Sequence, residues 1–392
     1  MNKGLFALAM GTFALGIAEF LMMGILGDIA VTMHVTISEA GHFISAYALG
    51  VCVGAPALLF ARRLPLKHIM LILAAIIAVG NLGAAISQGF YTFFISRFIS
   101  GLPHGAYFGV GAIVARRLAK PGHEVSAVSY MIAGMTVATL AGVPLGTLIT
   151  NTVTWRVAFL IVGAMGIATI IAIKAWVPDV AGIEDRGFKN QFKFLRTLPP
   201  WLIFGGVIFG QIGIYCWYSY IDPQLTLVAG FPQADLSWLM VLAGFGMFAG
   251  NLIAGKLSDR YKPSWIAAWV QASAIPVLLL FFFLASFKIA AVVLMVLGTA
   301  ALFGSGSPLQ SSIVGYSRGG ELLGGACIQI AYNAGNAIAA WVGGKVIAQG
   351  YGYTAPAIVG IPIVLIGCIL LFILYWRYER NTSQNSNLKT QI

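Results

Sequence analysis

Charge is what this chain has least of. Only 9% of its 392 residues are charged and 59% are hydrophobic, with a mean hydropathy of +0.89. A soluble domain carries about 25% charged residues, so the composition excludes an ordinary soluble globule and points to a protein that crosses a bilayer many times. Acids are scarcer than bases, 12 against 23, for a net charge of +11. In a soluble protein that excess would suggest nucleic acid. In a chain this apolar it reads as basic cytoplasmic loops, and no nucleic-acid partner is expected. Cysteine is rare too. Cys52, Cys216, Cys327 and Cys368 all fall in apolar runs without metal-ligand spacing, which makes them small core residues rather than a disulfide or metal framework. There is no GxxxxGK[ST] loop, since the glycine runs lie inside apolar stretches, so ATP-driven transport is not expected. Neither a metal cluster nor a hydrolytic triad is visible, so the chain does not read as an enzyme and no cofactor is expected beyond protons as a coupling ion. Met1 to Lys3 is a short lead into a run that is too long for a removable signal peptide and contains Glu19.

What is present is length without polarity. A span needs roughly 20 mostly apolar residues. Twelve stretches qualify: 5–27, 40–60, 68–87, 91–115, 126–149, 157–177, 201–221, 237–256, 264–285, 289–310, 323–345 and 354–376. The expected fold is an all-α membrane protein of twelve transmembrane helices in two six-helix, pseudo-symmetric halves. Residues 1–178 form the N-terminal half, 179–200 a polar cytoplasmic linker, 201–378 the C-terminal half and 379–392 a disordered cytoplasmic tail. With the N-terminus inside, 19 Lys and Arg residues fall on the cytoplasmic side and three (Arg156, Lys288, Lys345) outside, so both termini are read as cytoplasmic. An internal repeat supports the two halves. GAPALLFARRLPLK (Gly54 to Lys67) ends span two as GNLIAGKLSDRYKP (Gly250 to Pro263) ends span eight, and Asp28 after span one is echoed by Asp222 near the end of span seven. Halves related by an axis along the membrane normal place a substrate cavity between them near the midplane.

Span four holds the most expensive residue. Phe93 to Lys120 is apolar enough to cross the membrane yet contains Arg97 and His104. A guanidinium at a helix centre costs about 2.5–3.5 kcal/mol on insertion scales, so Arg97 must face protein or a watery cavity. Gly101, Gly105 and Gly109 continue its face at four-residue spacing, which allows another backbone to approach closely.

These residues carry a resemblance. Gly255-Lys256-Leu257-Ser258-Asp259-Arg260, Arg97-Phe98-Ile99-Ser100-Gly101, Gly142-Val143-Pro144-Leu145-Gly146 and Trp155-Arg156 resemble signatures of the major facilitator superfamily. The first has a degraded counterpart, with Arg62 where the family usually has Asp. GTFALGIAEFLMMGILGDIA, SYIDPQLTLVAGF and RGGELLGGACIQIAYNAGNA resemble the drug:proton antiporter family, closest to its branch of arabinose-inducible and sugar efflux permeases, over nearly the whole chain to about residue 378. The resemblance implies a bacterial inner-membrane carrier that exports a small organic solute, sugar or drug-like, by proton antiport and alternating access, working as a monomer in the lipid bilayer. It associates Arg97 with proton coupling, marks Gly142, Pro144 and Gly146 as an antiporter signature, and makes spans seven and eleven cavity-facing.

Glu19 is the expected partner of Arg97. It lies roughly 12 Å below the end of span one, and Arg97 lies roughly 9 Å below the same end of span four, at 1.5 Å per residue. A buried carboxylate beside a cation balances desolvation against attraction and can exchange protons near neutral pH; a static ion pair that fixes helix packing is the alternative. Histidine is the side chain whose ordinary titration falls near physiological pH, so His104 is either a third coupling group or a packing residue. Gln211, Tyr215 and Tyr218 share a face of span seven, and Gln329, Asn333 and Asn336 share one of span eleven. They suit hydroxyl-rich or neutral amphipathic ligands, or else interhelical hydrogen bonds. Tyr215, Trp217, Tyr218 and Tyr220 read equally as an interfacial belt or as stacking residues. In span five, Gly134, Ala138, Gly142 and Gly146 form a small-residue face and Pro144 a bend, expected to pack against the second half as a gate. Asp259 and Arg260 read as a gating and topology element, and Asp28 and Asp222 as solvated loop acids more readily than ligands for a cation. An uptake symporter, a uniporter and a non-transporting sensor or scaffold on the same fold stay open as alternatives.

Overall fold

Inside lipid every backbone amide and carbonyl must be paired within the protein, which leaves helices as the outcome for long apolar runs. The computed structural model describes residues 3–61, 64–121, 124–180, 192–317 and 320–380. The helices are α1 (Lys3–Gly24), α2 (Leu26–Met33), α3 (Ile37–Ala61), α4 (Leu66–Ile86), α5 (Phe90–Gly101), α6 (Pro103–Leu118), α7 (Glu124–Val137), α8 (Val143–Thr152), α9 (Trp155–Trp176), α10 (Leu198–Tyr218), α11 (Leu236–Ser258), α12 (Pro263–Leu284), α13 (Lys288–Gly304), α14 (Gly306–Tyr316), α15 (Glu321–Ala348) and α16 (Ala355–Leu374). Among the described residues ten stretches are long and apolar enough to span a membrane, and α3 and α15, at 25 and 28 residues, complete twelve runs. The fold is all-helical.

Three expected spans are single in hydropathy but broken in structure. Span four divides at Leu102, where Pro103 opens α6. Span five holds a π-helical turn over Ala138–Gly142 between α7 and α8. Pro144 lacks an amide proton and its ring crowds the carbonyl four residues back, and the wider turn absorbs that defect. Span ten divides at Ser305, between α13 and α14.

Successive runs alternate in direction, so the bundle has one end bearing the described chain termini and a distal end bearing α2. Among the first six runs, α4 lies along α9, α1 along α7 and α9, and α3 along α5. Among the last six, α10 lies along α16 and α15, and α11 along α13. Glycine permits the closest of these approaches: a Cβ on Gly50 would sit 2.1 Å from the Phe98 carbonyl oxygen.

The two sets meet along two seams. In the first, α11 crosses α8 and the π turn, with Gly244 on the Thr139 backbone. The second pairs α3 antiparallel with α15. There, every seventh residue of α3 donates to a carbonyl of α15: Ser38 to Gly344 at 2.7 Å, Ser45 to Ala337 at 2.9 Å, and Cys52 to Ile330 at 3.6 Å. Tyr220 anchors the distal part, its hydroxyl donating to the Ala340 carbonyl at 2.6 Å in a slot left by Gly41 and Gly344. Between described residues, the hydrogen bonds that join the sets run from the distal rim to the level of Cys52. The bundle is therefore zipped at the distal end.

In the linker, Lys193–Arg196 forms a 3₁₀ turn and Lys67 pairs with Asp179 at 3.3 Å. Residues 181–191 of the linker and 381–392 of the expected tail lie outside the described residues, as do Arg62 and Arg63.

Candidate functional site

Glu19 lies in the distal third of α1, five residues before its end, and is only 6% exposed. Its Oε1 accepts from Asn336 Nδ2 of α15 at 3.3 Å, and its Oε2 lies 3.8 Å from His104 Nδ1. His104 opens α6 just after the break at Leu102 and stacks on Phe108. The Tyr47 hydroxyl, which donates to the Leu15 carbonyl at 3.3 Å, is 2.9 Å from the same His104 Nδ1. A chain of polar groups thus runs from Tyr47 through His104 and Glu19 to Asn336, from the first set of helices into the second. A buried acid held between a neutral amide and an imidazole can change charge state without leaving its place.

Arg97 is fully buried but does not pair with Glu19. Its Nη1 donates to the Ala18 carbonyl at 2.6 Å, and the guanidinium lies 4.6 Å from the Tyr47 ring centre and 5.6 Å from that of Phe159. Successive residues of a helix are turned by about 100°. The face of α1 that presents Ala18 to Arg97 therefore turns Glu19 away, toward His104 and Asn336. Arg97 thus lies at the expected depth, within one residue of Glu19, but the expected ion pair does not form. Nε and Nη2 of Arg97 are buried without a partner. Gly101, expected on the same close-packed face, meets the Tyr47 carbonyl of α3, whereas a Cβ on Gly109 would meet nothing within 4 Å.

The second set supplies neutral polar groups. Tyr215 is buried and its hydroxyl points at Met23 Sδ of α1, 3.9 Å away; its ring lies 6.1 Å from that of Tyr218. Gln211 is buried against Gly335 of α15. Asn333 donates to the Gln329 carbonyl at 3.1 Å, and Gln329 is half-buried. The Oδ1 atoms of Asn333 and Asn336 are buried without a donor. The level of Glu19 thus offers spare acceptors from α15 and spare donors from Arg97. Tyr215, Trp217, Tyr218 and Tyr220 are all buried, which removes the reading of them as an interfacial belt.

Two further expectations are corrected. The small-residue face of span five packs on its own set, not on the second: Gly134 meets Ala9 and Thr12, Gly142 meets Ile17, and Gly146 meets Leu21, all of α1. Spacing identifies a close-packed face but not its partner. The contact of this span with the second set comes from other surfaces, the Thr139 backbone beneath Gly244 and α8, which α11 crosses and which carries the buried Pro144. Asp222, expected as a solvated acid, is 1% exposed and accepts from the Gly27 amide at 2.7 Å. Asp259 and Arg260 are exposed at the end of α11, and among the described residues neither forms an ion pair. All four cysteines are free. Among the described residues no cluster of three or more His, Cys, Asp or Glu is placed to hold a metal ion.

Sequence reasoning missed Tyr47 and the Asp222–Gly27 contact. Tyr47 carries no charge and sits in an ordinary apolar run. The Asp28–Asp222 echo was the available signal for the other.

The chain as a whole is similar to known proteins. The family model of the Major Facilitator Superfamily matches residues 8–324 and 230–391. The chain is 40% identical over 389 residues to the putative transporter AraJ of Escherichia coli K12, covering 98% of each. It is 29% identical over 371 residues to a chloramphenicol resistance protein of Streptomyces lividans (91% of this chain, 92% of the other), and 27% identical over 282 residues to a probable sugar efflux transporter of Helicobacter pylori (71% of each). A crystal structure of a bacterial homologue of the lysosomal transporter Spinster, inward-facing and unoccupied, superposes with a TM-score of 0.70 at 16% identity, covering 95% of this chain and 94% of that one. The chain belongs to the Major Facilitator Superfamily. It is a multi-pass membrane transporter rather than an enzyme.

Proposed function

We propose that this transporter exports a small organic solute, sugar or drug-like, across a bacterial inner membrane, driven by inward proton flow through alternating access. The observation that carries the reading is the buried Glu19 carboxyl, bonded to Asn336 of the other set and backed by His104. Ionised, Glu19 accepts a charge-assisted bond from Asn336; protonated, it accepts one roughly half as strong. The contact between the two sets at this level therefore depends on a proton. Arg97 organises the site by fixing α1 at Ala18 and holding a positive charge behind it. Gln211, Tyr215, Tyr218, Gln329, Asn333 and Asn336 bind the solute, with spare amide acceptors suited to hydroxyl or ammonium donors. Export is supported by the names of the Streptomyces and Helicobacter relatives.

The distribution of basic residues supports cytoplasmic termini, which makes the zipped distal end the outer one and the present state closed to the outside. Residues 1–178 and 201–378 act as the two moving bodies. The protein works as a monomer and needs no cofactor.

The test is proton flux into proteoliposomes loaded with a pH-sensitive dye, with pentoses, their short oligomers and lipophilic cations offered to the wild type and to Glu19→Gln. Substrate-evoked proton movement in the wild type that vanishes in Glu19→Gln is expected. Equal movement in both removes Glu19 from the mechanism. Solute exchange without proton movement makes the protein a uniporter.

A further inference from the structure

We propose that Asp222 is a proton-binding group separate from Glu19: a proton on its carboxyl holds the two sets of helices together at the distal rim, and its loss releases them. Asp222 lies in the turn Ile221–Pro223, beyond the span Leu198–Tyr218. Its Oδ2 accepts from the amide of Gly27, the second residue of α2, at 2.7 Å. First-turn amides have no partner within their own helix, and here the other set supplies one. A Cβ on Gly27 would stand 3.1 Å from Oδ2, so glycine is what admits the carboxyl this closely. The Thr226 hydroxyl is 3.4 Å from Oδ1. One residue along α2 the arrangement reverses: Asp28 Oδ2 accepts from Gln233 Nε2 of the second set at 2.9 Å, and the Gln233 carbonyl accepts from Asn151 Nδ2 of α8 at 2.9 Å.

Among the described residues the groups facing Asp222 include no cation. From α2 the ionisable neighbour is Asp28. From α1 the one acid, Glu19, is five residues short of the helix end. The π turn Gln224–Val228 brings none, and the turn Gln233–Asp235 brings neutral Gln233, with Asp235 two residues further on. Among the described residues neither Asp222 nor Asp28 forms an ion pair.

Closing the rim therefore takes a carboxyl out of water and sets it beside another acid. Burial first, and then Asp28, push Asp222 up from the ordinary carboxyl value to about 7, against the Gly27 amide, which favours the ionised form. Opening returns it to water and to its ordinary value. A group whose affinity for protons is higher in the closed state drives closure as pH falls. The closed-to-open ratio rises about tenfold per pH unit below 7 and levels off as pH approaches the ordinary carboxyl value.

The experiment uses the full chain in nanodiscs, with spin labels at the exposed distal positions Val31 and Ile289 and the four native cysteines replaced. It is done in a Glu19→Gln background, so that its outcome is independent of the Glu19 reading. The short-distance population is expected to grow between pH 8 and pH 5. Asp222→Asn keeps an acceptor for Gly27 but cannot titrate, and its distance distribution is expected to lose the part of the pH response that Asp222 supplies, leaving only what Asp28 contributes, whose carboxyl burial also raises. Asp28→Asn removes the like charge and is expected to move the midpoint to lower pH. A Glu19→Gln parent without pH response overturns the proposal, as does a response that survives Asp222→Asn undiminished. If Asp222→Asn does not fold, an unmoved midpoint in Asp28→Asn overturns it.

Discussion

A single methyl group should separate the seam between the two sets from the packing within each. A Cβ on Gly244 would lie 2.3 Å from the Thr139 carbonyl oxygen, where ordinary contact begins at 3.4 Å, so Gly244→Ala requires a widening of about 1.1 Å between two backbones. Overpacking of this kind costs about 1–3 kcal/mol. Because Gly244 and Thr139 belong to different sets, separation of the sets at the distal end relieves the whole of that cost. The closed-to-open ratio should fall by about 5- to 140-fold, at 1.4 kcal/mol per factor of ten. Gly50→Ala is the matched control: its Cβ would lie 2.1 Å from the Phe98 carbonyl oxygen, inside the first set, where no movement between sets can help. The assay is maleimide labelling of Thr147→Cys, at a buried site beside Gly24 in the distal seam, with the native cysteines replaced. Gly244→Ala should speed labelling with little change in melting temperature, and Gly50→Ala should lower melting temperature with labelling unchanged. Equal labelling in Gly244→Ala and its parent, with melting lowered as in Gly50→Ala, would refute the idea that the seam is where the molecule parts.

Asn336→Leu leaves Glu19 without its donor from α15. Losing that bond costs about 0.5–1.5 kcal/mol when the carboxyl is protonated and about 1.5–3 kcal/mol when it is ionised, and proton leak without substrate should rise in dye-loaded liposomes. Arg97→Lys keeps a charge but not the planar fork that reaches Ala18 between Tyr47 and Phe159. Solute transport should fall about tenfold while gel-filtration behaviour is retained. At the distal tip of α3, the Thr36 amide and hydroxyl donate to Glu39 Oε2, and the Glu39 amide donates back to Thr36 Oγ1. The Thr36 amide and hydroxyl hold the Glu39 carboxyl below its ordinary value. The contribution of this box is therefore complete at neutral pH and lost as pH falls through the lowered value. Protection of the amides of residues 37–40, taken relative to their intrinsic exchange rates at each pH, should fall on acidification in the parent but not in Glu39→Gln.

Much of this architecture could be read from the chain because lipid leaves few options: apolar runs of twenty residues can only be helices, and those runs are unmistakable here. The depths of Glu19 and Arg97 also followed from rise per residue alone. What hydropathy could not give was rotation. Arg97 meets Ala18 rather than Glu19 because neighbouring residues point in different directions, and the partner Glu19 does have, Asn336, is 317 positions away. The small-residue face of span five fails for a related reason. A stripe of Gly134, Gly142 and Gly146 reports that something packs closely, and α1 and α11 fit that description equally well. Asp222 was legible as an acid near a span end, but its burial depends on a glycine amide in the other set, which no local pattern records.

The ladder between α3 and α15 has an asymmetry that bears on how such a protein can change over generations. Its donors are side chains, Ser38, Ser45 and Cys52, but its acceptors are main-chain carbonyls. Whatever residue occupies 330, 337 or 344, the carbonyl remains. Drift on α15 is thus free to alter Asn333, whose one side-chain bond stays within its own helix, without unfastening this ladder, whereas Asn336 also bonds Glu19 across the seam. Drift at three positions of α3 is not free in the same way. The side-chain half of this ladder is therefore written on α3 alone, so α15 can diverge at 330, 337 and 344 while the fastening is inherited.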